Sequence, residues 1–220
     1  MTKTGDAALP PMDLDADSLM DTIRARSREI TIGVIALAAL GVIYVLVDQS
    51  NQKKQARAEI ALNQAENSFY GGNMALAQTD LQKLVQGYGS TAAGVQGSML
   101  LAQTYYKAGK FDEGLKVLQA AQGASGASSF QASIEALMGA GYADNNKLDE
   151  AAKHYRAAAD RAAFPADKDL YLADAARTLM AAGKKDDALK IWQSIASNPD
   201  SPVMAEAKVR VGELTAVAAK

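Results

Sequence analysis

The feature that most constrains this chain is a repeat. Gly72, Gly109, Asn146 and Gly183 stand 37 residues apart, each between two stretches of helical periodicity. Gly and Asn are the residues that accept positive φ, which a helix stop followed by a reversal requires. Other columns keep the same period. Ala77, Gly114, Ala151 and Ala188 follow the turn by five residues, and Leu81, Leu118, Tyr155 and Trp192 come one helical turn later. Ahead of the turn, Ala65, Ala102, Gly139 and Ala176 form a second small column. Tyr105, Tyr142 and Leu179 form a large one, from which the first segment departs with Ser68. Small residues set against large ones at these offsets describe two antiparallel helices in close contact. The pattern predicts four helical hairpins over residues 58–198, each burying one face against its neighbours. The residues in excess are expected to form loops between hairpins, Gly/Ser-rich ones in QGYGSTAAG and GASGASS and a third in AFPAD. Residues 199–220 are expected to cap the stack with one more helix, read from Ser201 to Ala218 after Pro199 and Pro202. Its Val203, Val209 and Leu214 would pack inward, and Glu206, Lys208, Arg210 and Glu213 would face water.

A second feature precedes the repeats. From Ile30 to Val47 the chain reads ITIGVIALAALGVIYVLV, without one charge. Eighteen residues at about 1.5 Å each span roughly 27 Å, close to the ~30 Å hydrocarbon core of a bilayer. A core helix of a globular protein would carry a polar stripe, and this stretch has none. Residues 30–47 are therefore expected to cross a membrane, with residues 48–57 as linker or helix extension, since no Gly or Pro interrupts the chain from Val42 to Tyr70. Residues 1–29 hold six acidic residues, whereas the n-region of a cleaved signal peptide is short and basic. They are expected to form a cytoplasmic leader, partly disordered, ahead of a retained anchor. Arg24, Arg26 and Arg28 lie close before the span; Lys53, Lys54 and Arg57 lie farther behind it. That asymmetry places the N-terminus in the cytoplasm and the repeats outside. The count of three against three leaves the inverse orientation open.

Chemistry is scarce. The chain has no Cys and one His, which removes disulfides, thiolate catalysis, Cys-based zinc sites and His-pair metal sites. With 23 Lys and Arg against 25 Asp and Glu, the net charge of −2 offers no electrostatic footprint for nucleic acid. The pairs Asp112–Glu113, Asp149–Glu150 and Asp186–Asp187 resemble catalytic carboxylates at first sight. They recur at the repeat period, where each would open a second helix and meet its positive end, so their role is structural. His154 is expected to be solvated or at a groove edge. Gly139-Ala140-Gly141 falls inside a helix rather than after a strand, so it is no dinucleotide fingerprint, and the other Gly-rich stretches lack the Lys-Ser/Thr of a phosphate loop. No enzyme, cofactor or metal is expected.

The hairpins resemble the tetratricopeptide repeat, best in Tyr105-Tyr106-Lys107-Ala108-Gly109-Lys110-Phe111-Asp112-Glu113-Gly114 and next in Tyr142 to Tyr155. The period is longer than the usual 34, and the Trp of that repeat's first helix is absent. With the apolar span and the cap, the resemblance gives the expected all-α chain: one N-terminal transmembrane helix, an α-solenoid of about four hairpins and a C-terminal capping helix. It also implies a protein-binding groove lined by first-helix residues. On this chain these are Phe69, Tyr70, Gln103, Tyr106, Lys107, Asp144, Arg177 and Met180.

The layout as a whole is similar to the bacterial ancillary subunits of the Sec translocon. It combines an Asp-rich leader, the stretch Arg24 to Glu29, the span and the polar Gln/Ala stretch Asp48 to Glu66. That resemblance implies a single-pass inner-membrane adaptor whose repeats stand in the periplasm. Its partners would be translocon subunits, periplasmic chaperones or client segments, with the lipid bilayer around residues 30–47. The alternative from the same features is an envelope-organising repeat protein of cell division or wall synthesis.

Overall fold

The computed structural model describes residues 27–218; the leader expected over residues 1–29 lies outside the described residues as far as position 26. Among the described residues there are nine α-helices, one 3₁₀ turn and no strand. The helices are α1 (Ser27–Tyr70), α2 (Met74–Tyr88), α3 (Ala92–Lys107), α4 (Phe111–Gln122), α5 (Gln131–Asp144), α6 (Leu148–Arg161), α7 (Pro165–Ala181), α8 (Lys185–Ala196) and α9 (Met204–Ala218). The 3₁₀ turn, Ser125–Phe130, stands between α4 and α5. The chain divides into two compact units, one ending at Gln52 and one beginning at Lys53.

In the first unit α1 carries its apolar side chains uncovered. Ile35, Leu37, Leu40 and Val45 are each more than 60% exposed. A core helix would hide such residues. Among the described residues this is the one helix long and apolar enough to cross a membrane.

In the second unit the helices pair as the repeat predicts. The end of α1 packs on α2 through Ala58, Leu62, Ala65 and Phe69 against Ala77, Leu81 and Leu84. From α2 onward each helix touches the next, through to α9. Four turns close the first helices. Gly72, Gly109, Asn146 and Gly183 have φ of +81°, +71°, +56° and +76°, and no other described residue has positive φ. Each turn makes the same pair of backbone bonds. Lys110 N–H donates to Tyr105 O at 2.9 Å and Gly109 N–H to Tyr106 O at 2.9 Å; Lys184 and Gly183 repeat this on Leu179 and Met180. This is the Schellman closure, which satisfies carbonyls that a helix end would otherwise leave bare.

The small columns do what close approach requires. Ala65, Ala102 and Ala176 and, across from them, Ala77, Ala151 and Ala188 are all fully buried. A Cβ added at Gly114 or Gly141 would run into the Tyr106 ring, and one at Gly139 would stand 3.0 Å from the Tyr155 ring. The knobs Leu81, Leu118 and Trp192 are fully buried. Burying a side chain of this size stabilises by about 1.5–3 kcal/mol. Three clusters result, centred on Leu81, Leu118 and Trp192.

Three expectations need correction. QGYGSTAAG is mostly helix: α2 runs through Tyr88 and α3 begins at Ala92, with Thr91 Oγ1 accepting from Gly94 N–H as the cap. The longer period is thus spent on longer helices and on the 3₁₀ turn rather than on open loops. In the cap, Ala207, Val211 and Leu214 pack inward with Val203, while Val209 is 59% exposed. Positions 207, 211 and 214 share one helical face, and 209 lies off it. His154 is not a freely solvated side chain. It is half-buried, stacked on Tyr142 at 5.0 Å, with Nδ1 2.7 Å from Glu135 Oε2.

Candidate protein-binding groove

Two adjoining clefts run between α1 and α3. One, about 340 Å³, has Glu59, Asn63, Glu66 and Gln96 at its walls and Leu62 and Ala93 beneath. The other, about 180 Å³, is bounded by Glu66, Tyr70, Gln96 and Gln103 over Met99 and Leu100. Glu66 and Gln96 belong to both, so the clefts form one groove. Glu59, Asn63, Glu66 and Tyr70 follow the i, i+4, i+7, i+11 stripe of one helix face, which is why α1 presents all four together.

The eight residues expected to line a groove fall into three groups. Tyr70 and Gln103 line the second cleft. Tyr70 is 74% exposed and sits edge-to-face on Phe69, centroids 5.3 Å apart. Phe69 itself is buried in the first core, with Lys107 Nζ 4.5 Å from its ring centroid, inside cation–π range. Phe69 therefore braces the groove's end rather than forming open surface.

Tyr106 and Asp144 make the second group. The Tyr106 ring fills the space that Gly114 and Gly141 leave, and its hydroxyl is buried without a partner among the described residues. Burial above all, with Tyr142, Asp144 and Tyr155 nearby, holds that phenol well above its ordinary pKa. Asp144 is exposed at the end of α5. Burial, with Asp174 and Asp144 close by, pushes Tyr155 up to about 12. These phenols stay neutral at any physiological pH.

Arg177 and Met180 form the third group, around the buried Trp192. Arg177 stands over the indole at 5.8 Å, and Trp192 Nε1 donates to Met180 Sδ at 3.3 Å. The guanidinium is already engaged: its Nε donates to Glu206 Oε1 at 2.9 Å and its Nη1 to Asp174 Oδ1 at 2.6 Å. The Glu206 hydrogen bond raises the Arg177 pKa, and the same bond lowers that of Glu206. Asp174 is raised, because burial outweighs its Arg177 contact. Arg177 thus ties α7 to the capping helix α9.

Sequence reasoning missed two polar arrangements. Glu135, 4% exposed in α5, accepts from Gln122 Nε2 at 2.7 Å and meets His154 and Arg161, the latter at 3.4 Å. The signal was present: Glu135 stands in the apolar interior of α5, and His154 and Arg161 stand seven apart on one face of α6. The second is a ladder between hairpins, Lys147 to Asp112 at 3.7 Å and Lys184 to Asp149 at 2.8 Å. Lys follows the turn in three hairpins, so this ladder was legible in the repeat columns. The acidic pairs do sit in the first turns of α4, α6 and α8. Among the described residues, no group of three His, Cys, Asp or Glu could hold a metal ion.

Comparison with known proteins bears on the hairpins. The family described as tetratricopeptide repeat-like domain matches residues 36–170, more than half of the chain. No curated protein matches the chain. Among solved structures, nearly identical TPR-like repeats from a Podosopora anserina protein described as a kinesin light chain superpose with a TM-score of 0.57 at 13% identity. The match covers 75% of this chain and 88% of that one. A single-substitution variant of the same repeats gives 0.57 at 14% identity with the same coverage. At these identities the likeness is one of fold.

Proposed function

The chain belongs to the tetratricopeptide repeat-like domain family, and from that premise we propose that it is a protein-binding adaptor anchored in a membrane by α1. The observation that carries the adaptor reading is the α1–α3 groove, open and amide-rich, with Tyr70 exposed at one end. Amides and an aromatic on a rigid helical floor suit a peptide backbone and its side chains. The anchor reading rests on the uncovered apolar residues of α1. The finer reading is that of an ancillary Sec translocon subunit in the bacterial inner membrane, with the N-terminus cytoplasmic and the repeats periplasmic. In that position it would link the translocon to periplasmic chaperones or clients.

Chemical crosslinking of the full-length protein in native membranes, followed by mass spectrometry, tests this. The expected result is translocon subunits crosslinked near residues 30–47 and periplasmic chaperones or clients crosslinked to the repeats. Recovery of only division or wall-synthesis proteins would replace the translocon role with the envelope-organising one. Cytosolic proteins on the repeats would reverse the orientation.

A further inference from the structure

Resting on the adaptor reading, we infer that the α1–α3 groove takes a cationic peptide segment, one bearing two Lys or Arg side chains on a common face. The first reason is charge. Glu59 and Glu66 stand on the groove wall, and among the described residues neither is engaged by a Lys, Arg or His. The other wall brings only neutral groups, Gln96 and Gln103. The cations nearest in sequence point elsewhere: Lys54 Nζ donates to Ser90 Oγ at 3.0 Å, and residues two apart on a helix, such as Arg57 and Glu59, do not face each other. Lys107 is held over Phe69.

The second reason is spacing. Glu59 and Glu66 are seven residues apart on one helix, which is about 10 Å along its axis. A helical segment laid along the groove meets both carboxylates with cationic residues at i and i+7, and a polyproline II segment, which returns to the same face every three residues, with cations three apart. The third reason is the anchor. Tyr70 stands one turn beyond Glu66 with Met99 and Leu100 beneath, an apolar seat next to the charged one. A segment with a large apolar residue beside its cations fits both.

The test uses full-length protein in detergent and three labelled 14-residue peptides. They share the same apolar residues and carry Lys, Glu or Ser at two positions seven apart. Binding is read by fluorescence anisotropy. The Lys peptide should bind about tenfold more tightly than the Ser peptide, the order expected for two exposed charge pairs. The Glu peptide should bind more weakly still. The preference should disappear in E59Q/E66Q and shrink with added salt. It should survive in E150Q/D186N, which removes the same charge from other exposed positions. Tyr70→Ala should weaken all three peptides.

Equal binding of the three peptides would overturn the cationic assignment and leave the adaptor reading intact. Undiminished Lys preference in E59Q/E66Q would overturn the site, and so would no binding of any peptide. An altered oligomeric mass of E59Q/E66Q without peptide binding would assign the groove to a second copy of the chain, and would overturn the proposal as well.

Discussion

Gly109 and Asn146 occupy the same turn position in successive hairpins, with φ of +71° and +56°. A Cβ on Gly109 would meet nothing within 4 Å, so any cost of substitution there is backbone strain and not a clash. Gly109→Val is expected to lower stability by about 2 kcal/mol or more, since a β-branched residue is a true outlier at positive φ. Asn146→Gly is expected to be neutral or stabilising by less than about 1 kcal/mol. Thermal melts of both variants check the pair. Gly141 is the opposite case. Its φ is ordinary for a helix, but Tyr106 fills the space a Cβ would need, and Gly141→Ala should cost about 1–3 kcal/mol by overpacking. The turn residues were legible because positive φ leaves few residue types to choose from. The place of Tyr106 was not. Helical spacing tells on which face a ring lies, but not that Gly114 and Gly141, from two other helices, leave the hole that receives it. Tyr106 therefore read as groove surface and proved to be a packing residue.

The capping helix shows the same division between pattern and partner. That residues after Pro202 form a helix followed from periodicity, and so did the inward side of Leu214. Its register did not, and Val209 turned out to face water. Nor could the sequence show that Glu206 on α9 would reach Arg177 on α7. That contact has a pH signature. The Arg177 bond lowers the pKa of Glu206 below its ordinary value near 4.5. Its contribution to stability is therefore complete above pH 4.5 and is lost as pH falls through the lowered pKa. Asp174, raised by burial, works in the other direction: its ionisation disfavours the fold as pH rises. Glu206→Gln removes the first effect and leaves the second to burial, without the share that the Glu206 charge adds to it. The variant should melt below the parent at pH 7, and the gap should narrow as pH falls below about 4. A gap that stays constant would mean that Glu206 acts through packing alone.

At the scale of the molecule, the order of elements was readable almost throughout. One column of turn residues set the hairpins, and one uncharged stretch marked the helix fit to cross a membrane. The groove was readable in part. Tyr70 and Gln103 do line one cleft, because first-helix positions off the packing columns are left open. Glu59, Asn63 and Glu66 were not anticipated. Glu59 and Asn63 lie ahead of the aligned columns, the first of which is at Ala65, and Glu66 follows that column without belonging to one. Arg177 was expected in the groove, but its charge is spent on the cap. The central proposal is that partner proteins bind at the α1–α3 face. The direct measurement places a photo-crosslinking amino acid at Gln103 of the full-length protein in native membranes, with the same group at the exposed Lys116 on α4 as reference. Discrete protein adducts are expected from position 103 that are absent from position 116 and are lost when Tyr70→Ala is combined with the label. The same adducts from both positions, or none from position 103, would contradict the proposal.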